Sequence, residues 1–183
     1  MGALRQAGRG MTTLTGSNSH SGGTQITAGT LSVASDAHLG AASGALSLAG
    51  GTLATTASFA SARAVELSGG AFAPQAATTL TLDGVIGGPG ALAMNGAGTL
   101  WLNGANTYSG ATSVNAGTLI LGPGGRLSPA ALSVAGGGVV DLSRMMAAGQ
   151  SIASLSGQGV VALGSRNLTI TTGGTSVGGS LVD

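Results

Sequence analysis

One passage of this chain occurs twice. Gly10 to Leu31 returns as Gly98 to Leu119, 88 residues further on and without a gap, with identity at Gly10, Leu14, Gly16, Asn18, Ser21, Gly22, Thr24, Ala28, Gly29, Thr30 and Leu31. Both copies consist of short strand-like pieces separated by glycines. A long period built from such pieces is the mark of a solenoid, in which each coil buries its apolar face only against its neighbours. Shorter echoes support it: Leu46-Ser-Leu-Ala-Gly-Gly51 matches Leu132-Ser-Val-Ala-Gly-Gly137, and Val65-Glu-Leu-Ser-Gly-Gly70 follows the same scheme.

Side-chain size limits the kind of core. Thirty-six glycines among 183 residues and 2% aromatic content leave too little bulk for a conventional globular interior, whereas a narrow stacked core needs less. Only 6% of residues are charged and mean hydropathy is +0.44, the reverse of the charged, weakly hydrophobic composition of a disordered chain. Six arginines, no lysine and a formal net charge of +1 offer no patch for a run of phosphates, so nucleic acid is not an expected partner. The absence of cysteine removes disulfides and thiolate metal sites and is compatible with export. No stretch approaches ~18 unbroken apolar residues. The opening Met1-Gly-Ala-Leu-Arg-Gln6 has no apolar signal core, so this segment is not expected to direct its own export.

Period-2 alternation predicts short strands at 24–26, 30–33, 45–48, 52–54, 64–67, 80–82, 91–94, 99–102, 112–114, 118–121, 131–134, 139–142, 152–155, 160–163 and 168–171. Glycine clusters at 50–51, 69–70, 87–90, 122–125, 136–138 and 173–174 are read as corners. In Leu-x-Leu strands Leu80 and Leu82, Leu100 and Leu102, and Leu119 and Leu121 point inward together, with Thr81, Trp101 and Ile120 outward. Asn18 and Asn106 are expected at corners, where asparagine tolerates the left-handed conformation and stacks in ladders. Helical signals are scarce, and the alanine-rich stretch from Thr56 to Glu66 reads as coil and strand. Three strands per coil give coils of roughly 20–30 residues. The whole of 1–183 is then a single solenoid segment, with modules at about 10–97 and 98–183. The last strand opens a further coil and stops, as in a segment cut from a longer chain.

The residues that could carry chemistry are few. Histidine occurs at His20 and His38 and the carboxylates are Asp36, Glu66, Asp83, Asp141 and Asp183; no nucleophile elbow accompanies them. Asp36 and His38, two apart, are read as an exposed corner rather than a catalytic pair. The glycine clusters lack the aspartates of a calcium-binding β-roll and the Lys-Ser/Thr of a phosphate loop, so no metal and no cofactor is expected. Trp101 is the one large aromatic placed outward by alternation, a candidate surface contact, although a ring lying over a neighbouring coil is the plainer reading. Tyr108, replaced by His20 in the first copy, reads as a turn residue packing on its own loop.

The stretch Gly98 to Leu119 resembles the autotransporter-associated β-strand repeat, also called the passenger-associated transport repeat, of Gram-negative type V secretion proteins. The first copy is looser, with His20 in place of the tyrosine and Met11-Thr-Thr13 where apolar alternation is usual. The flanks, from Leu82 to Leu92 and from Ser151 to Gly159, also resemble that family. The resemblance implies a right-handed parallel β-helix, all-β with three short strands per coil. Gly16, Asn18, Gly22, Gly29 and Leu31 would be structural positions of the first repeat, and Gly104, Asn106, Tyr108, Gly110, Gly117 and Leu119 those of the second. It further implies a surface-exposed or secreted passenger of an outer-membrane autotransporter, carried by a C-terminal translocator β-barrel of the parent chain. A non-catalytic stalk that helps the passenger fold during translocation is the first functional expectation. The alternative is an adhesin module that binds glycans or a host protein near Trp101. No small-molecule substrate is expected, and exposed solenoid ends are expected to favour end-to-end self-association.

Overall fold

The computed structural model describes residues 1–173 and 177–183, so Gly174 of the expected corner at 173–174 lies outside the described residues. The chain is all-β, a parallel β-solenoid of about nine turns with one short 3-10 turn, Asp36–Leu39, among the described residues. Three faces follow one another around a coil. Face 1 stacks Leu4–Gln6, Thr24–Ile26, residues 46–48 and 65–67, and Ile86–Gly87. Face 2 stacks Met11–Leu14, Thr30–Val33, residues 52–55 and 71–74, Leu92–Met94, Thr112–Val114, Leu132–Val134 and Leu155–Gly157. Face 3 stacks Phe59–Ser61, Thr79–Leu82, Thr99–Leu102, Gly117–Leu121, Gly138–Asp141, Val160–Ala162 and Ser180–Val182.

The core is a set of registered apolar columns. Leu80, Leu100, Leu119 and Val140 align on face 3, and Leu31, Leu53, Phe72, Met94, Val114 and Val134 on face 2; each is at most 2% exposed. Thr81, Trp101 and Ile120 form the outward column between them, as alternation requires. Removing one such leucine leaves a hole that only the coils above and below could fill, at a cost of about 2–5 kcal/mol.

Two expected corners turn the chain without interrupting the strand. Leu46–Thr55 and Val65–Pro74 are continuous strands that carry faces 1 and 2 together, and Gly50 (φ 115°), Gly69 (φ 118°) and Gly70 (φ 155°) lie inside them. The register shifts around Ala49 mark a bulge at this bend. A glycine bulge turns the chain without ending the ladder, because the missing Cβ permits the positive φ. The strand expected at 152–155 is instead two, Gly149–Ile152 and Leu155–Gly157, on successive faces.

A coil takes between 18 residues, from Gly149 to its partner Asn167, and 23, from Leu132 to Leu155. An interval of 88 residues is therefore about four coils and a third. The second copy of the repeat sits one face further round than the first. Thr24–Ile26 lies on face 1, whereas its counterpart Thr112–Val114 lies on face 2; Thr30–Val33 lies on face 2 and its counterpart, within Gly117–Leu121, on face 3. The local geometry is nevertheless the same, since Met11 pairs with Thr30 and Thr99 with Thr118 at the same spacing.

Candidate functional site

The motif residues are best described in pairs 88 apart. Gly29 and Gly117 both have left-handed backbones, φ 62° and 69°. A Cβ on Gly29 would fall 2.2 Å from Gly8 O and 2.3 Å from Gly10 O; one on Gly117 would fall 2.4 Å from both Gly96 O and Gly98 O. The four carbonyls are themselves counterparts. Gly22 faces Gly2 O and Gly110 faces Gly90 O in the same way. The repeat thus extends back to Gly2, eight residues before the stretch that sequence identity first reveals, and its signal was the spaced set Gly2, Ala3, Leu4 and Gly8, which recurs at Gly90, Ala91, Leu92 and Gly96. Gly16 and Gly104 differ: Gly104 is pressed against Gly84 O, while Gly16 has open space around it. Leu31 and Leu119 are both fully buried.

Asn18 and Asn106 each reach to the following coil. Asn18 Nδ2 donates to His38 O at 2.8 Å, and Asn106 Nδ2 to the matching carbonyl of Arg126 at 3.2 Å. Neither is left-handed; among the described residues the non-glycine position with positive φ is Ala77. Asn106 does more. Its Oδ1 accepts from Ile86 N–H at 2.9 Å, so one side chain ties three successive coils where face 1 carries no strand. Gln150 plays the same part above it, accepting from Leu127 N–H at 3.1 Å and donating to Leu127 O at 3.2 Å. Side-chain amides here give Ile86 N–H, Arg126 O and both backbone groups of Leu127 the partners that a ladder would otherwise supply.

Tyr108 is a core residue, 1% exposed. Its hydroxyl bonds Thr112 Oγ1 at 2.7 Å and accepts from Ser128 N–H. Burial pushes the phenol pKa above its ordinary value, against the opposing effect of these two bonds. In the first copy His20 Nε2 stands 2.9 Å from Thr24 Oγ1, the counterpart of Thr112. Thr24 spends its hydroxyl proton on Leu39 O at 3.0 Å, which makes the ring N–H the donor. The aromatic position therefore latches a threonine four residues on in both copies.

Trp101 points outward from face 3 but its ring is half-covered. A Cβ on Gly122 of the next coil would fall 2.4 Å from Trp101 Nε1 and 1.8 Å from Asn103 Oδ1; both polar atoms are buried without a hydrogen-bond partner. Asn103 Nδ2 donates to Asp83 at 2.7 Å along this rim. Glycine at 122 makes room for the indole edge.

Asp36 is not an exposed corner residue. It begins the 3-10 turn Asp36–Leu39 and its carboxylate takes Arg63 Nε at 2.8 Å and Nη2 at 3.1 Å. His38 Nδ1 instead accepts from Ala34 N–H. Among the described residues no group of three or more His, Asp or Glu is arranged to hold a metal. A shallow groove of about 580 Å³, bordered by Met11, Thr13, Ser32, Ala54, Ala73 and Gln75, is lined by small neutral residues and carries no ionisable group. Arg63 was not singled out by sequence, although it is the one charged residue between Asp36 and Glu66.

A parallel solenoid whose recurring residues are spent on coil-to-coil packing defines a class, the repeat-built parallel β-solenoid. Residues 4–33 and 92–121 match the Passenger-associated-transport-repeat family, two windows of equal length 88 apart. The chain is 49% identical over 123 residues to the Adhesin BmaC autotransporter of Brucella suis biovar 1 (strain 1330); the match covers 67% of this chain and 4% of that protein. No solved structure matches. The chain is an autotransporter passenger sequence built on passenger-associated transport repeats.

Proposed function

We propose that this segment is a non-catalytic structural stalk of a longer passenger, one that supports folding during transport across the outer membrane through a translocator β-barrel of the parent chain. The observation that carries the reading is the pairwise identity of the repeat environments: Gly29 with Gly117, Gly22 with Gly110, and Asn18 with Asn106 are all committed to the adjacent coil. A coil that has formed offers the next one a template of carbonyls and leucine columns, so folding propagates one coil at a time. Surface exposure on a Gram-negative cell follows from the same reading. The test is display of the parent protein carrying Gly29→Val and Gly117→Val, against Gly16→Val at an open position. Reduced display and protease resistance for the first pair alone is expected; equal display of all three variants would contradict the stalk.

An adhesive role is the second reading, favoured by the similarity to an adhesin and by the outward Trp101 on face 3. Neutral glycan or host protein would lie across Thr81, Trp101 and Ile120. Binding on a glycan array or to host cells that disappears with Trp101→Ala would support it, and no binding in either assay would remove it.

A further inference from the structure

Three of the six arginines stand at one corner of the solenoid. Arg126, Arg144 and Arg166 are 18 and 22 residues apart, each interval one coil, and they follow the face 3 strands Gly117–Leu121, Gly138–Asp141 and Val160–Ala162. The coils are stacked there: Met146 N–H donates to Pro123 O, Leu142 N–H to Ala162 O and Asn167 N–H to Ala148 O. Neighbouring coils lie about 4.8 Å apart, so arginines dispersed in the sequence become a short column of positive charge. Between residues 84 and 182 the one carboxylate is Asp141, whose Oδ1 accepts from Ser143 N–H at 2.8 Å. Among the described residues the ion pair is Arg63 with Asp36, and none of the three corner arginines is in a salt bridge. Arg126 and Arg144 are exposed, and Arg166 Nε is buried without a hydrogen-bond partner. A buried guanidinium donor left unpaired is costly, and an anion from outside would offset that cost.

The first of them, Arg126, borders a pocket of about 430 Å³ together with Leu127, Pro129, Met145, Gln150 and Ser151. Its wall combines one guanidinium with the apolar surfaces of Pro129 and Met145 and the exposed hydroxyl of Ser151. A guanidinium takes a carboxylate or sulfate through two parallel N–H donors. The hydroxyl and the apolar wall suit a sugar ring, which is polar at its edge and apolar on its faces. A peptide strand fits less well, because Arg126 O and both backbone groups of Leu127 are already engaged by the amides of Asn106 and Gln150. No backbone ladder is on offer to it there. We propose that this corner binds an acidic glycan, with a carboxylated or sulfated sugar in the pocket against Arg126 and the next acidic groups of the polymer on Arg144 and Arg166. Trp101 borders none of this pocket, so the site is separate from the outward column of face 3, and neither that column nor a transport role requires it.

The experiment is titration calorimetry of the full chain with a heparin hexasaccharide, an oligogalacturonate of equal length, a neutral dextran oligomer and poly-glutamate. Saturable binding of at least one acidic glycan is expected, with none to dextran and weaker binding to poly-glutamate. Binding of oligogalacturonate shows that carboxylates suffice, and binding of heparin alone assigns the contact to sulfate. Arg126→Met should weaken the interaction by about tenfold or more. Arg5→Met, which removes an exposed arginine of the first strand and the same charge, should stay within about twofold of wild type. An unchanged urea midpoint shows that Arg126→Met is folded; if the midpoint falls, Arg144→Met, also exposed, takes its place with a smaller loss expected. No binding of either acidic glycan, an equal loss with Arg5→Met, or poly-glutamate bound as tightly as the glycans would overturn the proposal.

Discussion

Gly29 and Gly117 show what the repeat requires of a single residue. At each, a left-handed backbone and two carbonyls within 2.4 Å of a would-be Cβ exclude every other side chain. Gly117→Ala is expected to destabilise the chain by about 2 kcal/mol or more, from the left-handed penalty and the clash together. Gly10→Ala, with nothing within 4 Å of its Cβ, should fall within about 0.5 kcal/mol of wild type. Urea midpoints at constant slope check both. Tyr108 offers a second handle, since it is the chain's one tyrosine and its phenolate absorbance reports that site alone. Burial raises its pKa in the folded state, so the folded chain keeps a proton that the unfolded chain begins to lose near pH ~10. The phenol's contribution is fully present below that pH and is lost as pH rises through the raised folded pKa. A spectroscopic midpoint above 10 in the folded chain is expected, together with an alkaline stability loss that Tyr108→Phe flattens. A midpoint at the ordinary value would contradict the burial argument.

Elements are held where strands are missing as firmly as where they are present. Asn106→Ala should cost about 1–3 kcal/mol, because Ile86 N–H and Arg126 O lose their partner in a buried place. Asn106→Asp should rescue little: a carboxylate still accepts from Ile86 but confronts the Arg126 carbonyl. Faster hydrogen exchange at Ile86 in both variants is the accompanying readout. How far these elements could be read in advance depended on the range of the physics involved. Leu-x-Leu alternation is local, and it placed Leu80, Leu100 and Leu119 inside and Trp101 outside. Glycine pairs are ambiguous locally: at 122–125 they turn the chain, whereas at 50–51 and 69–70 they bend a strand whose neighbours keep it laddered. Arg63 and Gln150 were illegible for a different reason. Their partners, Asp36 and Leu127, lie 27 and 23 residues away, a distance that becomes contact only when coil lengths are known.

At the scale of the whole molecule, the repeat and the coil are different units. Copies 88 residues apart share the environments of Gly29 and Gly117, of Gly22 and Gly110 and of Leu31 and Leu119 and yet occupy different faces, because the coil, not the module, sets the stacking. The repeat is therefore indifferent to which face it occupies, provided a full coil separates Met11 from Thr30 or Thr99 from Thr118. Sequence identity shows the 88-residue period plainly but carries no record of this rotation, which arises because 88 residues exceed four coils by about one face. The most direct test is a pair of deletions in this chain, read by proteolysis and urea unfolding. Removing residues 99–117 joins Gly98 to Thr118 and sets 118–121 on Thr79–Leu82 in the register that Thr99–Leu102 held. Removing residues 99–111 joins Gly98 to Thr112 and delivers a face 2 strand to face 3. The in-phase deletion should keep a protease-resistant, cooperatively unfolding solenoid, and the shorter out-of-phase deletion should lose it. Equal resistance of the two, or greater damage from the in-phase deletion, would contradict the coil as the unit of stacking.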